Sequence, residues 1–162
     1  METKKLSPKQ LALCGVMAAL ICVLTIFPHI PLGSGYIHLG DGLIMLSVML
    51  LGPLSIPAAA VGSMLADLLV FPSYAPVTLA VKALMTLAAW LIYRKESMGR
   101  TVLAFVVAEA VMVLGYFGYE WFAAHEYAVA DIAGNVIQGV AGVVIGLACR
   151  AALPRLERVI KM

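Results

Sequence analysis

Six apolar runs organise the chain, at residues 8–27, 42–53, 54–71, 77–93, 101–119 and 131–150. Unlike the one-sided stripe of a soluble helix, these runs are apolar nearly all round, so each predicts a helix surrounded by protein or lipid. A span takes about 17–25 residues at 1.5 Å per residue. The run 42–53 reaches only about 18 Å, so this short second helix either starts below the membrane surface or is re-entrant. Pro8 suits a helix start, Pro28 and Pro31 stop the first helix, and Gly52-Pro-Leu-Ser-Ile-Pro57 interrupts what would otherwise be one run from 42 to 71. Without that break the chain would cross five times, with its ends on opposite faces. The segment Pro28 to Asp41 is read as an irregular loop folding over a cavity, because non-helical backbone at membrane depth is tolerated only where protein or water surrounds it.

Charge placement fixes the orientation. Of the eleven Lys and Arg residues, all but Lys82 fall in three clusters: Lys4, Lys5 and Lys9; Arg94, Lys95 and Arg100; Arg150, Arg155, Arg158 and Lys161. The intervening segments 28–41, 71–77 and 119–131 have none. By the positive-inside rule the clusters are cytoplasmic, giving an even number of crossings with both termini inside. The composition agrees: of 162 residues, 63% are hydrophobic and 12% charged, against the roughly quarter-charged makeup of soluble domains. The expected fold is therefore an all-α membrane protein, a single domain over 1–162 built as a six-helix transmembrane bundle with a short second helix. No internal repeat, low-complexity segment or extramembrane domain is expected. The first run ends without a small-residue cleavage site, so it reads as a retained helix rather than a signal peptide.

Small residues form two stripes. Ala12, Gly15, Ala19 and Cys22 line one side of the first helix, and Gly139, Gly142 and Gly146 one side of the last. Such stripes allow close helix approach, either within the bundle or to a partner. Cys14, Cys22 and Cys149 have neither disulfide nor zinc spacing and read as packing residues.

Ionisable residues inside spans cost about 2.5–3.5 kcal/mol each on insertion, so each needs a partner or a purpose. Asp67, Lys82 and Glu109 are the deep ones. Asp67 and Lys82 lie about 6–8 Å below the outer surface, and Asn135 and Gln138 about 6–11 Å. The plainest arrangement is an Asp67–Lys82 ion pair, with the amides bonding carbonyls. A layer of aromatics on the outer side, Tyr36, Tyr74, Tyr116, Tyr119, Trp121 and Tyr127 together with His38, caps these groups, and the combination reads as an outward-opening pocket. Thr78 shares a helix face with Lys82 and is available to a ligand. Glu109 has no partner identifiable from sequence. His29, His38, Asp41 and His125 lack metal-ligand spacing, and no nucleotide-binding glycine loop or Walker sequence occurs, so neither a metal site, a catalytic site nor ATP hydrolysis by this chain is expected.

The ordered set His38-Leu-Gly-Asp41, Leu51-Gly-Pro53, Gly62 to Asp67, Tyr74-Ala-Pro-Val-Thr78 through Lys82, and Gly134-Asn135 with Gln138-Gly139 resembles the substrate-binding S components of energy-coupling factor (ECF) vitamin transporters. It is most similar to the branch named for riboflavin, which also holds proteins assigned to pyridoxine and hydroxymethylpyrimidine. The resemblance implies a six-helix subunit whose outer loops close over a vitamin-like small molecule. It also implies assembly with a transmembrane coupling subunit and two cytoplasmic ATPases, and toppling of the subunit in the prokaryotic cytoplasmic membrane to deliver its ligand. The partner-facing positions carry over to Ala12, Gly15 and Ala19; Gly15 departs from the family's usual alanine. His38 and Asp41 would brace the loop where it enters the second helix, Asp41 near its positive N-terminal end.

The leading expectation is thus a vitamin-binding subunit without cofactor or nucleic-acid partner, its flat heteroaromatic ligand contacted from among Tyr36, His38, Tyr74, Thr78, Lys82, Glu109, Tyr116, Asn135 and Gln138, with Asp41 and Asp67 structural. The absence of arginine on the outer side disfavours a phosphorylated substrate. Two alternatives are a stand-alone proton- or ion-coupled carrier using Asp67 and Glu109, and a non-transporting membrane assembly protein.

Overall fold

The computed structural model describes residues 6–32, 35–123 and 125–161. Six helices follow in order: α1 (Pro8–Ile26), α2 (Gly40–Leu51), α3 (Ser55–Val70), α4 (Ala75–Ile92), α5 (Met98–Ala123) and α6 (His125–Lys161). Ser7 opens α1, its hydroxyl accepting from the Gln10 amide while the Gln10 side chain accepts from the Ser7 amide. This reciprocal cap satisfies two otherwise orphaned donors. Short 3-10 turns at Gly52–Leu54 and Pro72–Tyr74 separate α2 from α3 and α3 from α4.

The break between α2 and α3 reverses the chain. Gly40, at the start of α2, lies beside Thr25 near the end of α1, whereas the Cys14 thiol near the start of α1 meets the Leu54 carbonyl at 3.5 Å. So α2 runs antiparallel to α1. Gly62 packs on the backbone of Ala18, and Asp67 reaches the segment that follows α1, so α3 runs back alongside it. The reversal passes through Gly52 at φ +57°, a left-handed conformation that glycine takes without steric cost. By length and apolarity, five stretches among the described residues are able to cross a membrane, the α2–α3 pair being counted as one of 31 residues.

Two expectations are corrected. The segment before α2 is not irregular: β1 (His29–Leu32) pairs antiparallel with β2 (Gly35–His38), His29 opposite His38 and Pro31 opposite Tyr36. Pairing satisfies the backbone groups that face the partner strand, which lowers the cost of non-helical backbone at a low-dielectric edge. Nor is 119–131 a loop, since α5 continues to Ala123 and α6 begins at His125. The drop in apolarity there marks a change of surroundings; no proline or glycine lies between Glu120 and Asp131 to stop a helix.

The core lies along α2, whose Ile44, Met45 and Val48 are buried among Ile21 of α1, Met85 of α4 and Phe105 of α5. On the last helix, Gly142 is pressed against Asp41 and Glu109, and Gly146 against Met45 and Phe105, so this glycine stripe is internal. The α1 stripe is different. Ala12, Gly15 and Ala19 are exposed, and nothing lies within 4 Å of where a Gly15 side chain would begin. The outer surface is apolar, with Leu69, Leu84, Leu103, Leu114, Val140 and Val144 exposed, as lipid contact demands.

At the end of the bundle opposite the hairpin, Arg150 donates to the Lys95 carbonyl at 2.9 Å and Lys95 pairs with Glu157 at 2.6 Å. The start of α1 and the α2–α3 turn lie at this same end, with Gly52 near the Trp90 indole. The basic clusters are therefore gathered at one end, as far as they fall within the described residues; Lys4 and Lys5 lie outside them.

Candidate functional site

At the hairpin end, alternation along β2 turns Tyr36 and His38 to the same face, toward the helices. Tyr36 begins a run of ring contacts: to Phe71 at 5.7 Å, from Phe71 to Tyr74 at 6.2 Å, and from Tyr74 to Tyr116 at 6.3 Å between centroids. The run links the hairpin, the α3–α4 turn and α5. Together with Asp67, Glu120, Asn135, Gln138 and His38, these rings line a free space of about 40 Å³.

Beneath this space lies an ion pair. Lys82 Nζ stands 2.5 Å from Asp41 Oδ1, both side chains fully buried. The expected Asp67–Lys82 pair does not form; because α2 starts below the level of the hairpin, Asp41 is carried down to Lys82. Gln138 holds the second carboxylate oxygen, donating from Nε2 to Asp41 Oδ2 at 2.7 Å while its Oε1 accepts from the His38 amide at 3.0 Å. One side chain of α6 thereby ties the hairpin to the start of α2. Lys82 Nζ also lies 5.6 Å from the centroid of the Tyr116 ring, within cation–π range.

Asp67 takes a different partner, the Tyr36 hydroxyl at 2.5 Å. Thr78 Oγ1 is 2.9 Å from the Tyr116 hydroxyl, and Tyr74 donates to Glu120 Oε1 at 3.3 Å. His38 Nδ1 accepts from the Gly40 amide at 3.1 Å, which assigns the proton of its neutral ring to Nε2. Burial lowers the His38 pKa to about 4, so the ring is neutral at physiological pH. Asn135, on α6, lines the space as well.

Of the candidate contacts, Tyr36, His38, Tyr74, Tyr116, Asn135 and Gln138 are thus brought to one cavity wall, and Asp67 with them. Thr78 and Lys82 lie behind it. Glu109 is elsewhere: it sits against Gly139 and Gly142, at the base of an apolar groove of about 510 Å³ between α5 and α6 lined by Val106, Val113, Val136 and Val140. Neither of its carboxyl oxygens has a hydrogen-bond partner among the described residues. Two wall residues escaped the sequence reading. Phe71 ends an apolar run and looks like a span terminus, and Glu120 falls where a loop was expected. No group of three or more metal-ligating side chains occurs among the described residues.

Comparison with known proteins bears on this arrangement. A family described as the S component of the ECF-type riboflavin transporter matches residues 5–155. An uncharacterised protein of Pyrococcus woesei, named for a gap 3′ region, is 38% identical over 120 residues, or 72% of this chain and 81% of that one. A solved structure described as the S component of a bacterial ECF transporter has the same fold. It superposes with a TM-score of 0.71 at 22% identity, over 95% of this chain and 98% of the other.

Proposed function

We propose, starting from the fact that this chain belongs to the ECF-type riboflavin transporter S component family, that the cavity beneath the hairpin binds a small heteroaromatic vitamin or vitamin precursor for import. Membership makes the chain a substrate-binding subunit of an ECF transporter; the ligand class, the site and the partners are our reading. The observation that carries it is convergence: the hairpin, the α3–α4 turn, α5 and α6 each supply rings or hydrogen-bonding groups to one space at one end of the bundle. Polar side chains are costly in a membrane interior, and a bound ligand is what several of them meeting at one cavity would serve.

Tyr36, Phe71, Tyr74 and Tyr116 would stack on the ring. Asn135 would offer hydrogen bonds, while His38, Gln138, Asp41 and Lys82 hold the wall in place. A free space of about 40 Å³ accommodates a few waters at roughly 10–15 Å³ each. A ring ligand therefore enters with movement of the walls, and the hairpin is the wall not anchored in a long helix.

In this reading six helices cross or enter the membrane and the basic end faces the prokaryotic cytoplasm. The exposed stripe of Ala12, Gly15 and Ala19 meets a transmembrane coupling subunit that works with two ATPases. The test is ligand uptake by cells expressing the chain with and without those partners. Uptake that requires them and survives an uncoupler is expected. Uptake that persists without them and collapses with the uncoupler would replace this reading by a stand-alone ion-coupled carrier.

A further inference from the structure

Charged groups around the cavity are unevenly distributed. Asp67 enters from α3 and Glu120 from α5, and Asp131 of α6 lies within electrostatic reach of Glu120. Glu120 is only 3% exposed, and among the described residues its Oε2 has no hydrogen-bond partner while Oε1 accepts from Tyr74. Among the described residues, no lysine or arginine lines the cavity. Lys82, behind the wall, is committed to Asp41, so the pair contributes no net charge. The hairpin contributes Tyr36 and a neutral His38, α4 contributes Tyr74 beside its start, and α6 contributes two neutral amides. Among the described residues the wall thus holds two carboxyl groups and no free positive charge.

We infer that the substrate is a heteroaromatic base that presents a protonated or N–H-rich nitrogen to Glu120, and that Glu120 is the residue that selects for it. An ammonium, pyridinium or amino group would supply the donor that Oε2 lacks, as a charge-assisted hydrogen bond in a poorly hydrated site. The tyrosine faces favour a cationic ring for the same reason, through their quadrupoles. A phosphate or carboxylate would instead stand against two acids with no base to receive it. This inference rests on the substrate-binding reading above and narrows it.

The test uses the full chain in detergent with ligands that share one ring and differ in charge: pyridoxamine, pyridoxine and 4-pyridoxic acid, with riboflavin and its phosphate as a second scaffold. Affinities are read by titration calorimetry at low and high salt. Pyridoxamine is expected to bind at least tenfold more tightly than pyridoxine, neither anion measurably, and Glu120→Gln or Asp131→Asn should narrow that ratio. Equal or tighter binding of a neutral or anionic member overturns the charge preference and leaves the substrate-binding reading standing. Failure of every compound to bind, with no small molecule retained by the protein on purification, overturns both.

Discussion

Lys82 Nζ and Asp41 Oδ1 lie 2.5 Å apart on helices whose pairing joins residues 41 positions apart in the chain, and neither side chain is exposed. The pair fastens the start of α2 to the middle of α4, and through Gln138 it fastens both to α6. A buried pair of this kind roughly offsets its own desolvation, but removing one partner strands the other. Lys82→Met is expected to lose about 3–5 kcal/mol of stability. Lys82→Met with Asp41→Asn should recover a large part of that, because an asparagine oxygen still accepts from Gln138. Thermal unfolding in detergent measures both; a double variant no more stable than the single one would contradict the assignment.

His38 makes stability depend on pH. Burial lowers its pKa from 6.5 to about 4, so the folded state binds fewer protons than the unfolded state between those values. Its contribution is complete above about pH 6.5 and is lost as pH falls through 4, by up to roughly 3 kcal/mol. The wild-type protein should therefore lose stability more steeply than His38→Gln between pH 6.5 and 4. Parallel curves would show that the ring is not held neutral under the hairpin.

Two glycines on similar small-residue stripes should respond oppositely to alanine. A side chain at Gly142 would collide with the Glu109 carboxyl, outweighing the helix-propensity gain of about 1 kcal/mol. At Gly15 there is open space, so Gly15→Ala should raise the unfolding temperature by the propensity term alone. Equal shifts in both variants would contradict the internal packing of the α6 stripe.

The exposed stripe on α1 yields a prediction that separates assembly from binding. Gly15→Trp and Ala19→Trp place bulk on an exposed face, with open space at Gly15, and no residue of α1 lines the cavity among the described residues. Both variants should bind ligand as the parent does and fail to co-purify with the coupling subunit. A loss of ligand binding with assembly intact would assign the stripe to the bundle instead.

Much of this architecture was legible because membrane helices announce themselves through uninterrupted apolarity and prolines mark their ends. The break at Gly52–Leu54 could be placed from sequence, and it reverses the chain where the charge clusters required. What sequence could not supply was depth. Asp67 and Lys82 lie at matching distances from their helix ends, which suggested a pair; Asp41 stood in a segment read as loop, although the short α2 carries it down to Lys82. Glu120 and Asp131 were missed for a related reason. Polar residues at a membrane edge dilute the apolar signal without ending the helix, so two continuing helices looked like a connecting loop. Ring contacts such as Tyr36 to Phe71 depend on how the hairpin folds back, which no local periodicity encodes.

The space beneath the hairpin is expected to hold a small ring compound. The most direct measurement is mass spectrometry of small molecules released on denaturing the freshly purified protein, alongside a variant with Asn135→Leu and Tyr74→Ala. One heteroaromatic molecule per chain is expected from the parent and little or none from a variant that remains folded. Release of no such molecule from protein expressed in vitamin-replete cells, or equal release from the folded variant, would contradict it.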